Sequence, residues 1–312
     1  MIHWGINALN HGSSVAVFKN DELVLHTNNK SDQVDIALAL EYGAPDRIFW
    51  YERPFLKKAR QLYAGQYKAA FDMSVLPKKH LTQFANVPVT YTPHHASHAA
   101  AGYYTSPFSQ CAIVVLDAMG EFECATIWAG NKNKLRKVWS RSYPNSLGLF
   151  YSAFTQLIGL TPIKDEYLLQ QMAEQGDPDR FFNYISTKYF DKGAVNLKYN
   201  FHRGVLDWII PLITLQDQCD VAAAVQQVFE HQVAQVMKKA KELVPSERLV
   251  YMGGCAMNST ANKKIVEPMY DYIWSLPNPG DPSSSIGAVL YHTKQREWLY
   301  EWETVRHIKL NQ

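Results

Sequence analysis

Long hydrophobic runs are missing from this chain. The longest apolar stretches, residues 112–116 and 208–215, fall far short of the ~20 residues that a spanning helix needs. The N-terminus, Met-Ile-His-Trp-Gly, has neither the basic nor the apolar region of a secretory signal, so the expected location is the cytoplasm. Cysteine is scarce: Cys111, Cys124, Cys219 and Cys255 form no CxxC, which argues against a zinc-thiolate cluster and favours reduced, buried thiols. A dominant charge is lacking too. Lys+Arg 31 against Asp+Glu 29 gives +2, which by itself neither supports nor excludes a nucleic-acid partner. There is no low-complexity tract and no repeat with a solenoid period. What is present is ordinary globular material, 47% hydrophobic and 19% charged over 312 residues. At roughly 150 residues per domain, that length implies two lobes or one large α/β unit.

Apolar runs broken by turn residues predict three strands over 2–8, 15–18 and 23–26, then a helix capped by Ser31 and ending at Tyr42. A strand over 47–51, a basic helix opened by Pro54, a strand over 87–91 and a small-residue helix over 94–104 complete a first lobe, residues 1–105. The order then restarts in residues 106–312. Strands are expected over 111–116, 123–129 and 135–141, followed by helices over 146–158, 179–189 and 220–243. A strand over 248–252, a helix over 259–267, a strand over 272–276 and a closing helix over 283–298 finish the chain. A meander of three strands followed by crossover elements, twice over, resembles the duplicated two-lobe α/β fold of actin, sugar kinases and heat-shock ATPases, with a cleft between the lobes.

The densest chemical cluster is Pro93-His94-His95-Ala96-Ser97-His98-Ala99. On a helix His94 and His98 stand at i and i+4, so both imidazoles leave one face and can share a metal. Iron, zinc and nickel all accept such ligands, and the same spacing also suits histidines held by hydrogen bonds at a helix start. His95 points elsewhere, beside the ligands or at the surface. Asp117, at the end of the strand over 111–116, and Asp281, before the last helix, could each complete a metal site or simply cap a turn. Gly253-Gly254-Cys255-Ala256-Met257-Asn258 joins a buried strand to a helix, where glycines let a backbone approach a nucleotide closely. It is neither GxGxxG nor a Walker loop. The turn Asp117-Ala118-Met119-Gly120-Glu121 has a similar character, and His11, between the first two strands, is a candidate general base. Basic residues gather in Lys57-Lys58-Ala59-Arg60, in Lys78-Lys79 and over 132–141, as solvated faces or as a phosphate-tracking surface.

The whole pattern resembles the O-carbamoyltransferase family of antibiotic and nodulation-factor biosynthesis. The matching segments, in order, are Tyr51-Glu52-Arg53-Pro54-Phe55-Leu56-Lys57, His94-His95-Ala96-Ser97-His98-Ala99-Ala100, and Asn145-Ser146-Leu147-Gly148-Leu149-Phe150-Tyr151-Ser152-Ala153-Phe154-Thr155. Gln226 and Glu230, the Gly253–Asn258 turn and Gly280-Asp281 follow. The resemblance implies an ATP-linked enzyme that binds a carbamoyl-adenylate and an Fe2+-type metal, and moves the carbamoyl group to an alcohol. By that match His94, His98 and Asp281 hold the metal with Asp117 close by, while Gly254 and Asn258 meet the adenosine. Gly253, Gly120 and Glu121 complete the expected nucleotide surface, and His11 takes the acceptor's proton.

Two departures stand out. Family members continue into a YrdC-like domain that makes the adenylate from carbamoyl phosphate and ATP, and no such segment is expected within these 312 residues. The family's Lys-x-Met-Gly-Leu-Ala segment is replaced after Glu166-Tyr167 by Leu168-Leu169-Gln170-Gln171-Met172-Ala173, which implies a different donor or acceptor. The expected partners are a carbamoyl donor and a hydroxyl acceptor, with no membrane. The acceptor is a sugar, a natural product or the hydroxymethyl group of a modified pyrimidine, of the 5-hydroxymethylcytosine type, in nucleotide or DNA. Two other readings stay open: a non-catalytic nucleotide-binding subunit of a split carbamoyltransferase, and a tRNA threonylcarbamoyl-type transferase.

Overall fold

A computed structural model describes residues 1–9 and 12–296. His11 and the end of the expected closing helix lie outside the described residues. The strands are β1 (Ile2–Asn7), β2 (Ser14–Lys19), β3 (Glu22–His26), β4 (Arg47–Trp50), β5 (Val89–Tyr91), β6 (Gln110–Leu116), β7 (Glu123–Asn131), β8 (Lys134–Ser142), β9 (Arg248–Met252) and β10 (Tyr272–Trp274). The helices are α1 (Ile36–Glu41), α2 (Pro54–Tyr63), α3 (Tyr67–Phe71), α4 (Pro77–His80), α5 (His94–Thr105) and α6 (Leu147–Leu157). After them come α7 (Glu166–Ala173), α8 (Phe182–Tyr189), α9 (Leu215–Leu243), α10 (Ser259–Ala261) and α11 (Ser284–Thr293).

The two sheets run β3-β2-β1-β4-β5 and β10-β9-β6-β7-β8. Read outward from the central strand they are one topology used twice. An antiparallel meander (β1–β3, β6–β8) lies on one side, and two parallel strands (β4 and β5, β9 and β10) lie on the other. The duplicated two-lobe α/β architecture expected from the strand order is therefore present.

Strand β6 shows why its sequence reads as an unbroken apolar run. Ala112, Val114 and Leu116 face a core built with α6 to α9. Cys111, Ile113 and Val115 face a second core shared with α5, α11 and the first sheet. A strand covered on both faces has no polar side to alternate with. Each fully buried Val, Ile or Leu contributes about 1.5–3 kcal/mol. Helices α5 and α11 thus form a layer between the two sheets, and all twelve residues of α5 are buried.

That layer is thin because its residues are small. Ala96, Ala99, Ala100 and Ala101 line α5, and α11 crosses it at Gly287, where a Cβ would lie 1.8 Å from the Ser97 carbonyl oxygen.

Some boundaries differ from expectation for local reasons. The helix expected from Ser31 starts only at Ile36, because Asn29 still pairs with Ser13 as an extension of the hairpin. Helix α9 starts earlier than residue 220: Thr214 accepts from the Asp217 N–H while the Asp217 carboxylate accepts from the Thr214 N–H, a capping box. Helix α7 was not expected at all. The segment after Asn258 forms α10 followed by a π-turn over Asn262–Val266, and α11 closes at Lys294 in a left-handed conformation.

Gly287→Ala is expected to destabilise the protein by about 3 kcal/mol, the upper end of ordinary overpacking, because backbone rather than a mobile side chain meets the new methyl. Urea denaturation compared with the parent chain checks this.

Candidate metal centre

Three segments meet at the carboxyl ends of the strands. His94 and His98 come from the first turns of α5, Asp117 follows β6, and Asp281 follows β10 and precedes α11. Helix α5 begins where Pro93 ends the extended run of β5, with Pro93 itself at the cap. The His94 N–H, which has no partner within the helix, donates to both oxygens of Glu121 at 3.2 Å, so a buried carboxylate sits on the helix N-terminus. Glu121 also accepts from the Arg53 N–H at 2.9 Å and from Arg53 Nε at 3.2 Å.

The ligand-type atoms of His94, His98, Asp117 and Asp281 all lie within 4.8 Å of one another. The His94 and His98 Nε2 atoms are 3.1 Å apart, and His94 Nε2 is 3.3 Å from Asp117 Oδ2. Asp281 Oδ1 is 3.3 Å from both Nε2 atoms yet accepts no hydrogen bond. Metal–ligand bonds of about 2.0–2.2 Å would separate adjacent ligand atoms by about 2.9–3.5 Å, so the observed spacings fit one first-row divalent ion. Two imidazoles and two carboxylates also match such an ion in charge and in ligand type. The ring of His94 is fixed by packing, 5.3 Å from Tyr51 and 4.8 Å from His98 between centroids.

The histidine side chains are 1% and 0% exposed and those of Asp117 and Asp281 are 12% and 23%, so the centre opens on its carboxylate side. Burial alone would raise both aspartates. The neighbouring imidazoles outweigh it, His94 first, and hold the Asp117 and Asp281 carboxyls well below their ordinary range. Burial likewise pushes His94 down, but the charge of Asp281 and the hydrogen bond of Asp117 carry it well above the usual imidazole value.

His95 is fully buried rather than at the surface, with Nδ1 3.0 Å from Thr126 Oγ1, and burial together with the His94 charge holds it well below its ordinary value. The other expected site residues fall close by. Gly254 N–H donates to Asp117 Oδ1 at 3.0 Å, so the glycine turn anchors the carboxylate directly. Gly253 adopts φ +93°, and a Cβ there would lie 2.2 Å from the Leu116 carbonyl oxygen. A Cβ at Gly120 would come within 3.1 Å of the His94 and His95 rings, so that turn packs tightly on the histidines. Asn258 caps α10 through the Ala261 N–H at 2.9 Å and exchanges hydrogen bonds with Gln226, which also reaches Tyr151 and Glu230.

Of the three basic clusters, the first is spent internally. Lys57 pairs with Glu52 at 2.8 Å, Lys58 reaches the Ala69 and Asp72 carbonyls, and buried Arg60 meets the Glu121 carbonyl and Gln66. Sequence reasoning gave no role to Tyr51, which packs on His94, or to Ser14 and His26, which meet the Pro282 carbonyl beside Asp281, and no local spacing signals those contacts.

A family model described as "Carbamoyltransferase N-terminus" matches residues 51–290. The chain belongs to this carbamoyltransferase family. It is 32% identical over 223 residues to the uncharacterized protein sll1178 of Synechocystis, a match covering 65% of this chain and 36% of that protein. It is 29% identical over 212 residues to the nodulation protein NolO of Bradyrhizobium diazoefficiens, covering 63% and 37%. The matches thus span little more than a third of the length of these relatives. Among solved structures, a ROK family protein from Streptococcus pneumoniae superposes with a TM-score of 0.52 at 12% identity, over 94% of this chain and 99% of that one. The Lmo2764 protein of Listeria monocytogenes gives 0.50 at 10% identity, with the same coverage. At that identity the likeness shows the fold alone, and it is the two-lobe fold described above. No described helix is long and apolar enough to cross a membrane.

A divalent ion supplied at about 100 times its dissociation constant is expected to stabilise the protein by about 2.7 kcal/mol, and His94→Ala or His98→Ala to abolish that gain. Thermal unfolding with and without ferrous ion, together with metal analysis of the purified variants, checks it.

Proposed function

We propose that this chain is the group-transfer part of a metal-dependent O-carbamoyltransferase. The donor is carbamoyl-adenylate, or carbamoyl phosphate with ATP, and the acceptor is a hydroxyl. The observation that carries the reading is the convergence of His94, His98, Asp117 and Asp281 at one point, buried on its histidine side, in a chain of this family.

These four residues would hold the ion, with Fe2+ as the proposed metal. When bound, it supplies charge neutralisation at the donor phosphate and Lewis-acid polarisation of the carbamoyl carbonyl. The chain's own residues then have separable tasks. Glu121 fixes the start of α5, and with it the direction of both imidazoles. The Gly254 N–H holds Asp117 and orients its other oxygen toward His94. The proposed nucleotide surface is the Gly253-Gly254 turn together with Gly120, Glu121 and Asn258. Because the Asn258 amide is already committed to Gln226 and Ala261, it shapes this surface through the α10 cap.

His11, which falls between β1 and β2 in the sequence, is the proposed base. It takes the acceptor's proton while the acceptor oxygen bonds to the carbamoyl carbon. The carbamoyl–phosphate oxygen bond breaks, and AMP departs with its electron pair.

A hydroxymethylated pyrimidine in nucleotide or DNA is the narrower reading of the acceptor. Exposed Lys78, Lys79, Lys134 and Arg136 support it, while the internal role of the Lys57–Arg60 cluster withdraws part of that support. A second reading is a non-catalytic nucleotide-binding subunit of a split carbamoyltransferase.

Mass spectrometry of hydroxymethylated DNA, its nucleotide and an aminoglycoside, after incubation with protein, ferrous ion and preformed carbamoyl-adenylate, separates these readings. Gain of one carbamoyl group on an acceptor is expected, with turnover falling about 100-fold or more in His94→Ala. No gain on any acceptor, with adenylate still bound, would move the reading to the subunit.

A further inference from the structure

The segment that carries Asp281 follows β10 of the second sheet but is braced by the first sheet, whereas Asp117 is fixed within the second. Asp117 sits at the end of β6 and is fixed within the second sheet, its N–H donating to the Cys124 carbonyl at 3.0 Å and its Oδ1 accepting from Gly254. Asp281 enters a short 3-10 turn whose next residue, Pro282, presents its carbonyl oxygen to the first sheet. There Ser14 Oγ donates to that oxygen at 2.7 Å and His26 Nε2 donates at 3.0 Å.

These contacts cross 268 and 256 residues of sequence. Ser14 lies two residues before Ala16 on β2, and Ala16 is paired with His26 on β3, so both donors leave the same face of the hairpin. Ser14 is fully buried. Strand β1 presses on the same segment, since a Cβ at Gly5 would lie 1.8 Å from the Ser285 carbonyl oxygen.

We propose that Ser14 and His26 are positioning residues for the Asp281 ligand: through the Pro282 carbonyl, the β2–β3 hairpin sets where that carboxylate stands relative to His94, His98 and Asp117. The proposal rests on the metal-centre reading of those four residues. Neither Ser14 nor His26 touches the ion. Their donors fix one peptide, and that peptide fixes the carboxylate one residue before it. The centre therefore takes both carboxylates from segments that follow strands of the second sheet, one of them braced by the first sheet, and both imidazoles from the helix layer between the sheets. A displaced hairpin would leave three ligands in place and shift the fourth.

The test is cobalt(II) affinity of the full chain, measured by competition with a chromophoric chelator, alongside the cobalt visible spectrum and the melting temperature of the metal-free protein. Ser14→Ala and His26→Ala are expected to weaken cobalt binding about 10- to 100-fold, the usual effect of removing a group that orients a ligand. Their cobalt bands should shift. Ser14→Thr and His26→Gln, which keep a donor, should recover most of the loss. Parent-like affinity and spectrum in both alanine variants would overturn the proposal. So would losses that follow the metal-free melting temperature and are equal in the alanine and donor-keeping variants. Absence of cobalt binding by the parent chain, or parent-like binding by Asp281→Asn, would overturn the metal-centre reading itself. That outcome differs from a failure of positioning, in which the parent binds and Asp281→Asn does not.

Discussion

Two imidazoles and two carboxylates crowded into one point, buried on its histidine side, constrain most of what surrounds them. Carboxylates are expensive to bury without compensation, and imidazoles placed side by side need their orientations held. The protein meets both demands with backbone. Gly254 N–H satisfies Asp117, and the Glu121 carboxylate holds the start of the helix that bears both histidines. Ring packing against Tyr51 keeps His94 in place. The small residues of α5 belong to the same constraint, because they let that helix sit between two sheets with no exposed face.

The duplicated topology explains why the ligands can meet. His94 follows β5 of the first sheet, and Asp117 and Asp281 follow β6 and β10 of the second, at the carboxyl ends of strands where α/β folds gather reactive groups from segments far apart in sequence. Both carboxylates follow strands of the second sheet, the Asp281 segment is braced by the first, and the helix layer supplies the imidazoles. A centre built this way is sensitive to how the lobes sit against each other.

The strand order and the doubled meander were legible in the sequence because apolar runs and turn residues are local signals. The histidine pair was legible because helical spacing alone puts i and i+4 on one face. Asp117 and Asp281 could be suspected from their places at strand ends, but that they meet required the fold. The helix start at Ser31 was misread because Asn29 stays in the hairpin, a non-local pairing. The capping box at Thr214 and Asp217 was readable and shows where α9 begins. The Pro282 carbonyl contacts had no readable signal, since serine, histidine and proline so far apart carry no pattern. The basic cluster at Lys57 shows the converse: a charge run looks like a surface until its partners, here Glu52 and backbone carbonyls, are seen.

The central claim is that His94, His98, Asp117 and Asp281 hold one divalent ion. Its most direct test is a crystal structure of the chain grown with ferrous ion, with anomalous data collected on both sides of the iron edge. The account requires a single anomalous peak bonded to the two Nε2 atoms and to a carboxylate oxygen of each aspartate, at about 2.0–2.2 Å. A map with no peak there, and with both imidazoles hydrogen-bonded directly to the aspartates, would contradict it.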